Sequence, residues 1–186
     1  MTSTTLTKSP ATLRKTLSNG LTVIVVENPV ADIVAARLFV RAGHGYETSE
    51  NSGLFSLLTS VLTKGTQQKS SLEIAEVVES IGAGFGADVA SDYSIVSFKT
   101  VSADFETVLT LAAEVVQQPS FPQSEIELER RLLLQGLKSI KEQPFSVAYN
   151  HLRESIYKGH PYGLTNAEPA ACMAQFTQAA LQTAHR

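Results

Sequence analysis

Strand and helix signals are segregated along this chain rather than regularly alternating, and that order limits the folds open to it. Two runs of β-branched and apolar residues come first: residues 21–27, behind the turn signal Ser18-Asn19-Gly20, and residues 33–40, behind Asn28-Pro29. Both are apolar through most of their length, so they are expected to be strands buried on both faces. A loop with Gly43, His44 and Gly45 follows, then helical periodicity over 53–66 and 71–81. Residues 87–90 and 93–101 read as paired strands around Ala90-Ser91-Asp92. Beyond them the pattern is helical: 103–117 with Phe105, Val108, Leu109, Ala112, Val115 and Val116 inside, 125–142 behind a Ser124 cap, 146–157, and 170–184. Strands, two helices, strands, then mostly helices predict an α+β fold, a largely antiparallel sheet with helices packed on one face. The polar residues 1–12 are expected to be a disordered N-terminal segment, and residues 13–186 a single domain.

Residues 53–66 are the most informative stretch. At about 100° per residue, Leu54, Leu57, Leu58, Val61 and Leu62 form a broad apolar face. Ser56, Thr59, Ser60 and Thr63 share an arc of about 100° on the other side. A solvated face is the plain explanation. Solvated helix faces, however, usually carry Lys, Glu, Arg or Gln, whereas Ser and Thr compete with the helix backbone for hydrogen bonds. Four short hydroxyls without a charge also fit a partly covered surface or the wall of a cleft. Gly136 is a second anomaly: it sits mid-helix, where Gly costs about 1 kcal/mol relative to Ala. Either a close packing partner or a lost side chain accounts for it.

Other candidate chemistry is sparse. The four histidines, His44, His151, His160 and His185, include no i, i+3 or i, i+4 pair, so each reads as solvated or structural. Gly82-Ala83-Gly84-Phe85-Gly86 runs from a helix into a strand, the wrong context for a phosphate loop, and reads as a turn and the start of an edge strand. No nucleophile-elbow pattern is present. Cys172 is the only cysteine, which excludes an intrachain disulfide and a cysteine-based zinc site, and it reads as a small core residue in a reducing compartment. Arg130-Arg131, after a run of Glu, reads as a salt-bridged helix face. A net charge of −3 with no basic cluster argues against nucleic acid as a partner. Residues 1–15 lack the apolar region of a secretory signal, and no apolar run is long enough to span a membrane. A cytoplasmic protein is expected.

Several short motifs, taken in order, resemble one family. Leu17-Ser18-Asn19-Gly20-Leu21, Arg41-Ala42-Gly43, Tyr46-Glu47, Gly53-Leu54 and Lys64-Gly65-Thr66 resemble the pitrilysin/insulinase-type zinc peptidases, the inverzincins, and above all mitochondrial processing peptidase and the small bacterial processing proteases. Glu129-Arg130 to Leu137, Pro144 and His160-Pro161-Tyr162-Gly163 continue the likeness, which runs from about residue 13 to 163.

The resemblance implies a zinc helix reading G-L-A-H-x-x-E-H-x-L-x-K-G-T. Laid on this chain, its first His falls on Ser56, its catalytic Glu on Thr59 and its second His on Ser60. The family's third ligand, a Glu on a later helix, falls on Gly136. With these positions vestigial, the chain is similar to the family's non-catalytic subunits, which pair with an active zinc-peptidase subunit and help enclose a cavity for extended peptides. Zinc is then expected only in the active partner. The family's substrate-holding edge strand falls on Gly84, Phe85, Gly86, Ala87 and Asp88, with Gly86-Ala87 where Asn-Ala is common. Family domains are longer, and most subunits carry two, so a truncated form or fragment is expected, with an open sheet edge that invites self-association. Two other roles compete: a structural subunit like the core subunits of the respiratory bc complex, and a stand-alone peptide-binding module.

Overall fold

A computed structural model describes residues 11–164 and 167–186. The expected disordered segment, residues 1–12, lies almost wholly outside the described residues. The chain divides into two compact units, up to Ile33 and from Val34 onward.

The first unit is a hairpin of β1 (Thr12–Thr16) and β2 (Thr22–Val26), antiparallel in the register Thr12↔Val26 to Thr16↔Thr22. Its turn is the one signalled by Ser18-Asn19-Gly20. Gly20 takes φ +86, the Leu17 N–H donates to the Leu21 carbonyl (2.8 Å), and the Leu21 N–H donates to Asn19 Oδ1 (3.1 Å). β1, Thr-Leu-Arg-Lys-Thr, is a strand that its polar composition conceals. The expectation that 21–27 is buried on both faces fails, since every β2 residue is exposed. A two-stranded ribbon has no layer of its own to cover either face.

The second unit contains β3 (Ile33–Val40), which begins at the boundary, α1 (Leu54–Leu62), α2 (Ser71–Ser80), β4 (Gly84–Val89), β5 (Ser94–Val101), α3 (Phe105–Gln117), α4 (Gln123–Lys141), α5 (Pro144–Ile156), α6 (Ala167–Cys172) and α7 (Gln178–His185). The sheet order is β3-β5-β4, with β4 and β5 antiparallel from Gly84↔Lys99 to Val89↔Ser94. β3 also departs from the two-sided burial expected of it. It is an edge strand whose Val34, Ala36 and Leu38 are half-buried while the alternate residues are exposed. Together the elements make the mixed α+β fold predicted from their order.

The core forms where α1, α3 and α4 meet the sheet. Leu57, Val61, Val108, Val115, Ile126 and Leu181 are wholly buried, as is Phe121. Phe121 precedes Pro122 and sits at φ +48, a strained conformation for a bulky residue, offset by burial of its ring. α2 opens with a full capping box: the Ser70 hydroxyl accepts from the Glu73 N–H (3.3 Å) and Glu73 Oε2 accepts from the Ser70 N–H (2.8 Å).

Four local expectations need correction. α4 starts at Gln123 behind Pro122, so Ser124 lies inside the first turn and does not cap it. Leu109 is exposed and Leu111 fills the inward position of α3. Residues 170–184 are not one helix, because the chain breaks at Phe176, which turns into the core, and Thr177 caps α7 by accepting from the Ala180 N–H (3.2 Å). Neither Arg130 nor Arg131 forms an ion pair among the described residues. Arg130 instead donates to the Phe176 carbonyl (2.5 Å), while Glu129 pairs with Lys64 (3.1 Å). No helix among the described residues is long and apolar enough to cross a membrane.

Candidate functional site

α1 is fixed in place from its first turn. Gly53 is the N-cap at φ +85, and a side chain there would press on Pro169 Cβ (2.9 Å) and Met173 Cε (3.0 Å), so glycine is required twice over. The free N–H groups of the turn are met by a carboxylate from outside the helix. Glu47, 3 % exposed, accepts from the Gly53 N–H through Oε2 and from the Phe55 N–H through Oε1, both at 2.9 Å. His44 Nδ1 lies 3.3 Å from the same Oε2. Sequence reasoning registered Tyr46-Glu47 only as part of a family resemblance. Its role as a cap six to eight residues away carries no local signature, unlike Ser70-x-x-Glu73.

The hydroxyl stripe is not a solvated face. Thr59 is 4 % exposed, and Ser56, Ser60 and Thr63, the last at the C-cap, are half-buried. Thr59 does not present its hydroxyl to the surface either: Oγ1 donates to the carbonyls of Phe55 (2.8 Å) and Ser56 (3.2 Å). Ser56 and Ser60, one turn apart, are the polar groups left on this side.

α4 borders α1. Leu133, Leu134 and Leu137 pack against the cluster that holds Leu57, Leu58 and Val61, and the Lys64–Glu129 pair joins the end of α1 to the start of α4. Gly136 lies seven residues, about two turns, beyond Glu129 and so on the same side of α4. Ser60 and Ser56 lie one and two turns before Lys64. Gly136 is exposed, and a Cβ there would meet nothing within 4 Å. Among the described residues no close partner accounts for the glycine.

β4 packs its Phe85 and Ala87 side chains onto the same core, and a main-chain pattern fixes its open edge. The Ala90 N–H donates to the Tyr93 carbonyl (2.8 Å) at the hairpin end. Hydrogen-bonded pairs then recur at Asp88↔Ile95, Gly86↔Ser97 and Gly84↔Lys99. Phe85, Ala87 and Val89 direct their main-chain groups to the other edge, which has no strand partner among the described residues. At its end the Val89 N–H is taken by Asp88 Oδ1 (2.8 Å), so Phe85 and Ala87 carry the available groups.

The remaining motif residues form a clasp around the β4–β5 turn. The His44 and Gly45 N–H groups donate to the carbonyls of Ala90 (3.1 Å) and Ser91 (2.6 Å). A side chain at Gly43 would run into Ser91 O (2.8 Å). The Tyr162 hydroxyl bonds Asp92, which holds the phenol above its ordinary value of 10.0, since ionisation would break that bond beside a carboxylate. Arg153 holds the Tyr162 carbonyl from α5 (Nη2, 2.7 Å). Of the other histidines, His151 is exposed beside Glu154 (3.1 Å), His160 Nδ1 accepts from the Tyr162 N–H (3.2 Å), and His185 Nε2 bonds the Val116 carbonyl (2.8 Å). Cys172 is a buried thiol on the Ser49 carbonyl (3.2 Å). An open cleft of about 560 Å³ runs between the start of α1 and α7, walled by Leu54, Phe55, Ala180 and Thr183.

Helices on a small antiparallel sheet, with α4 laid beside a hydroxyl-faced α1, define an α+β domain that known structures share. A crystal structure of a peptidase M16 inactive domain from Pseudomonas fluorescens superposes with a TM-score of 0.88 at 28% identity, over 94% of this chain and 43% of that one. A protease from Helicobacter pylori has the same fold (TM-score 0.84, 22% identity, 95% of this chain and 43% of that one). Residues 22–170 match the family model for Insulinase (Peptidase family M16), and the chain belongs to that family. An uncharacterized zinc protease of Rickettsia felis is 30% identical over 162 residues, 87% of this chain and 39% of the relative. The β subunit of mitochondrial processing peptidase from Lentinula edodes is 29% identical over 166 residues, 89% of this chain and 36% of the relative. The chain thus spans well under half the length of the curated relatives it matches.

Proposed function

We propose that this chain is a non-catalytic member of its family, an N-terminal-type domain (residues 13–186) that pairs with an active zinc-peptidase subunit and contributes a wall to a peptide-holding cavity. The observation that carries this reading is the α1–α4 side of the core. Where zinc-bearing relatives need ligands, it offers Ser56, Ser60 and a bare Gly136, with the Thr59 hydroxyl committed to its own helix. Zinc is held by imidazole, thiolate or carboxylate groups, and the base that takes a proton from its water must titrate near neutrality. Neutral serine hydroxyls and glycine supply neither, so this donor set does not fit the metal. No step of hydrolysis is derived through it, and zinc belongs to the active partner.

What remains is recognition. The open edge of β4, with the main-chain groups of Phe85 and Ala87, can take an extended peptide by strand addition. Gly84 and Gly86 leave its outer face free of bulk, and Asp88 closes the run. A cytoplasmic setting is consistent with the lone buried thiol of Cys172.

The test is metal analysis and peptide cleavage on the purified chain, alone and with a family subunit carrying H-x-x-E-H. Below about 0.1 zinc per chain and no chelator-sensitive cleavage alone, with cleavage appearing or rising on adding the partner, is expected. Stoichiometric zinc or chelator-sensitive cleavage by the chain alone refutes the proposal. Metal positions can be checked separately: the triple variant S56H/S60H/G136E should gain zinc binding, and failure of a folded variant to do so argues against this assignment of positions.

A further inference from the structure

α5 carries an apolar seam that nothing among the described residues covers. Phe145, Tyr149, Leu152 and Ile156 are 81%, 52%, 54% and 63% exposed. They recur at intervals of four, three and four residues, which puts all four within about 60° on one side of the helix. Phe145 and Tyr149 stack with ring centroids 6.3 Å apart, so the two rings already present one flat surface. The half-buried residues of α5, Ser146, Val147, Asn150 and Arg153, lie on the other flank, toward the protein. The large apolar residues of α5 other than Val147 therefore face outward, away from the flank that meets the body of the molecule.

A four-three-four spacing is the pattern with which two helices interlock side by side. It is also self-complementary, because the same seam read backwards has the same intervals. We propose that α5 is the contact of a two-fold homodimer, with the α5 seams of two copies packed antiparallel. The flanks permit it. Ser146, Ala148 and Ser155 beside the seam are small, so the helices can approach closely. The one adjoining charge, Arg153, is tied to the Tyr162 carbonyl and falls opposite Ser146 of a second copy, not opposite a like charge. The exposed parts of the four side chains amount to about 450 Å² per copy, at the size where an apolar patch on a monomer is commonly a binding surface. Two seams together supply about 900 Å², in the range of weak, transient interfaces. A patch of that size predicts a weak, reversible dimer.

Sedimentation equilibrium on the full 186-residue chain between 5 and 500 µM reads the association directly. Wild type should shift from monomer to dimer across that range. Leu152→Glu places a carboxylate at the centre of the seam, should weaken association by at least about 30-fold, and should leave the thermal melt within about 2 °C, since Leu152 contributes little to the monomer's core. Val30→Glu, at an apolar residue 87% exposed elsewhere in the chain, should leave the dimer intact. A wild-type chain that stays monomeric at 500 µM overturns the proposal and leaves the seam to a helix of another subunit. A dimer that survives Leu152→Glu overturns it in favour of an open sheet edge. Neither outcome bears on the zinc or cleavage measurements above.

Discussion

Replacing Glu47 should loosen the start of α1 by an amount the geometry sets. Its carboxylate accepts two main-chain N–H groups at 2.9 Å, from Gly53 and Phe55, in a site only 3 % exposed. A hydrogen bond to a charged group contributes about 1.5–3 kcal/mol net, and an anion at a helix N-terminus a further 0.3–1 kcal/mol or so. Glu47→Gln keeps the shape and one accepting oxygen, but turns an NH2 donor toward the second N–H and removes the charge. One charge-assisted bond is lost, and the expected cost is about 2 kcal/mol. Glu47→Ala loses both bonds but opens a path for water, so the expected cost is about 3–4 kcal/mol, the low end of two full bonds plus the dipole contribution. For a domain of this size these costs lower the melting temperature by about 4–8 °C and 6–16 °C. Urea denaturation followed by circular dichroism measures both, with an unchanged m-value showing that the folded state keeps its compactness. A cost below about 0.5 kcal/mol for Glu47→Gln would refute the reasoning, because the two N–H groups must then find other acceptors at no loss.

Two further outcomes follow from the same kind of argument. Gly136→Ala adds a Cβ that meets nothing within 4 Å inside a helix, so it should stabilise the chain by about 1 kcal/mol, or about 2–4 °C; a destabilised variant would mean that Gly136 has a packing role. Glu114 is held below its ordinary 4.5 first by the Lys69 ammonium (2.7 Å) and then by the Thr66 hydroxyl, and Glu73 is held low by the Ser70 N–H and hydroxyl. Carboxylates with depressed values contribute stability that is fully present above 4.5 and is lost as pH falls through their folded values. Denaturation midpoints should therefore be level near neutrality and decline below about pH 4.5, and Lys69→Met should flatten that decline. An acid limb unchanged by Lys69→Met would refute the assignment to Glu114.

Much of this molecule follows from the sequence because the responsible contacts span three or four residues. The apolar period of α1, the turn at Asn19-Gly20, and the apolar stripe of α3 apart from Leu109 are local. The α+β class follows from their order, and the motif series from Leu17 to Gly163 pointed to the insulinase family. The tertiary structure decided what those periodicities leave open. It turned the Thr59 hydroxyl onto its own helix while leaving Ser56 and Ser60 on the partly covered side. It set Gly136 in open space, and it brought Glu47 to cap a helix it does not belong to. It tied Tyr162 to Asp92 across 70 residues. Exposure of β2 and β3 was illegible for the same reason: a run of valines and isoleucines records what a strand can bury, whereas the layers packed beside it determine what it does bury.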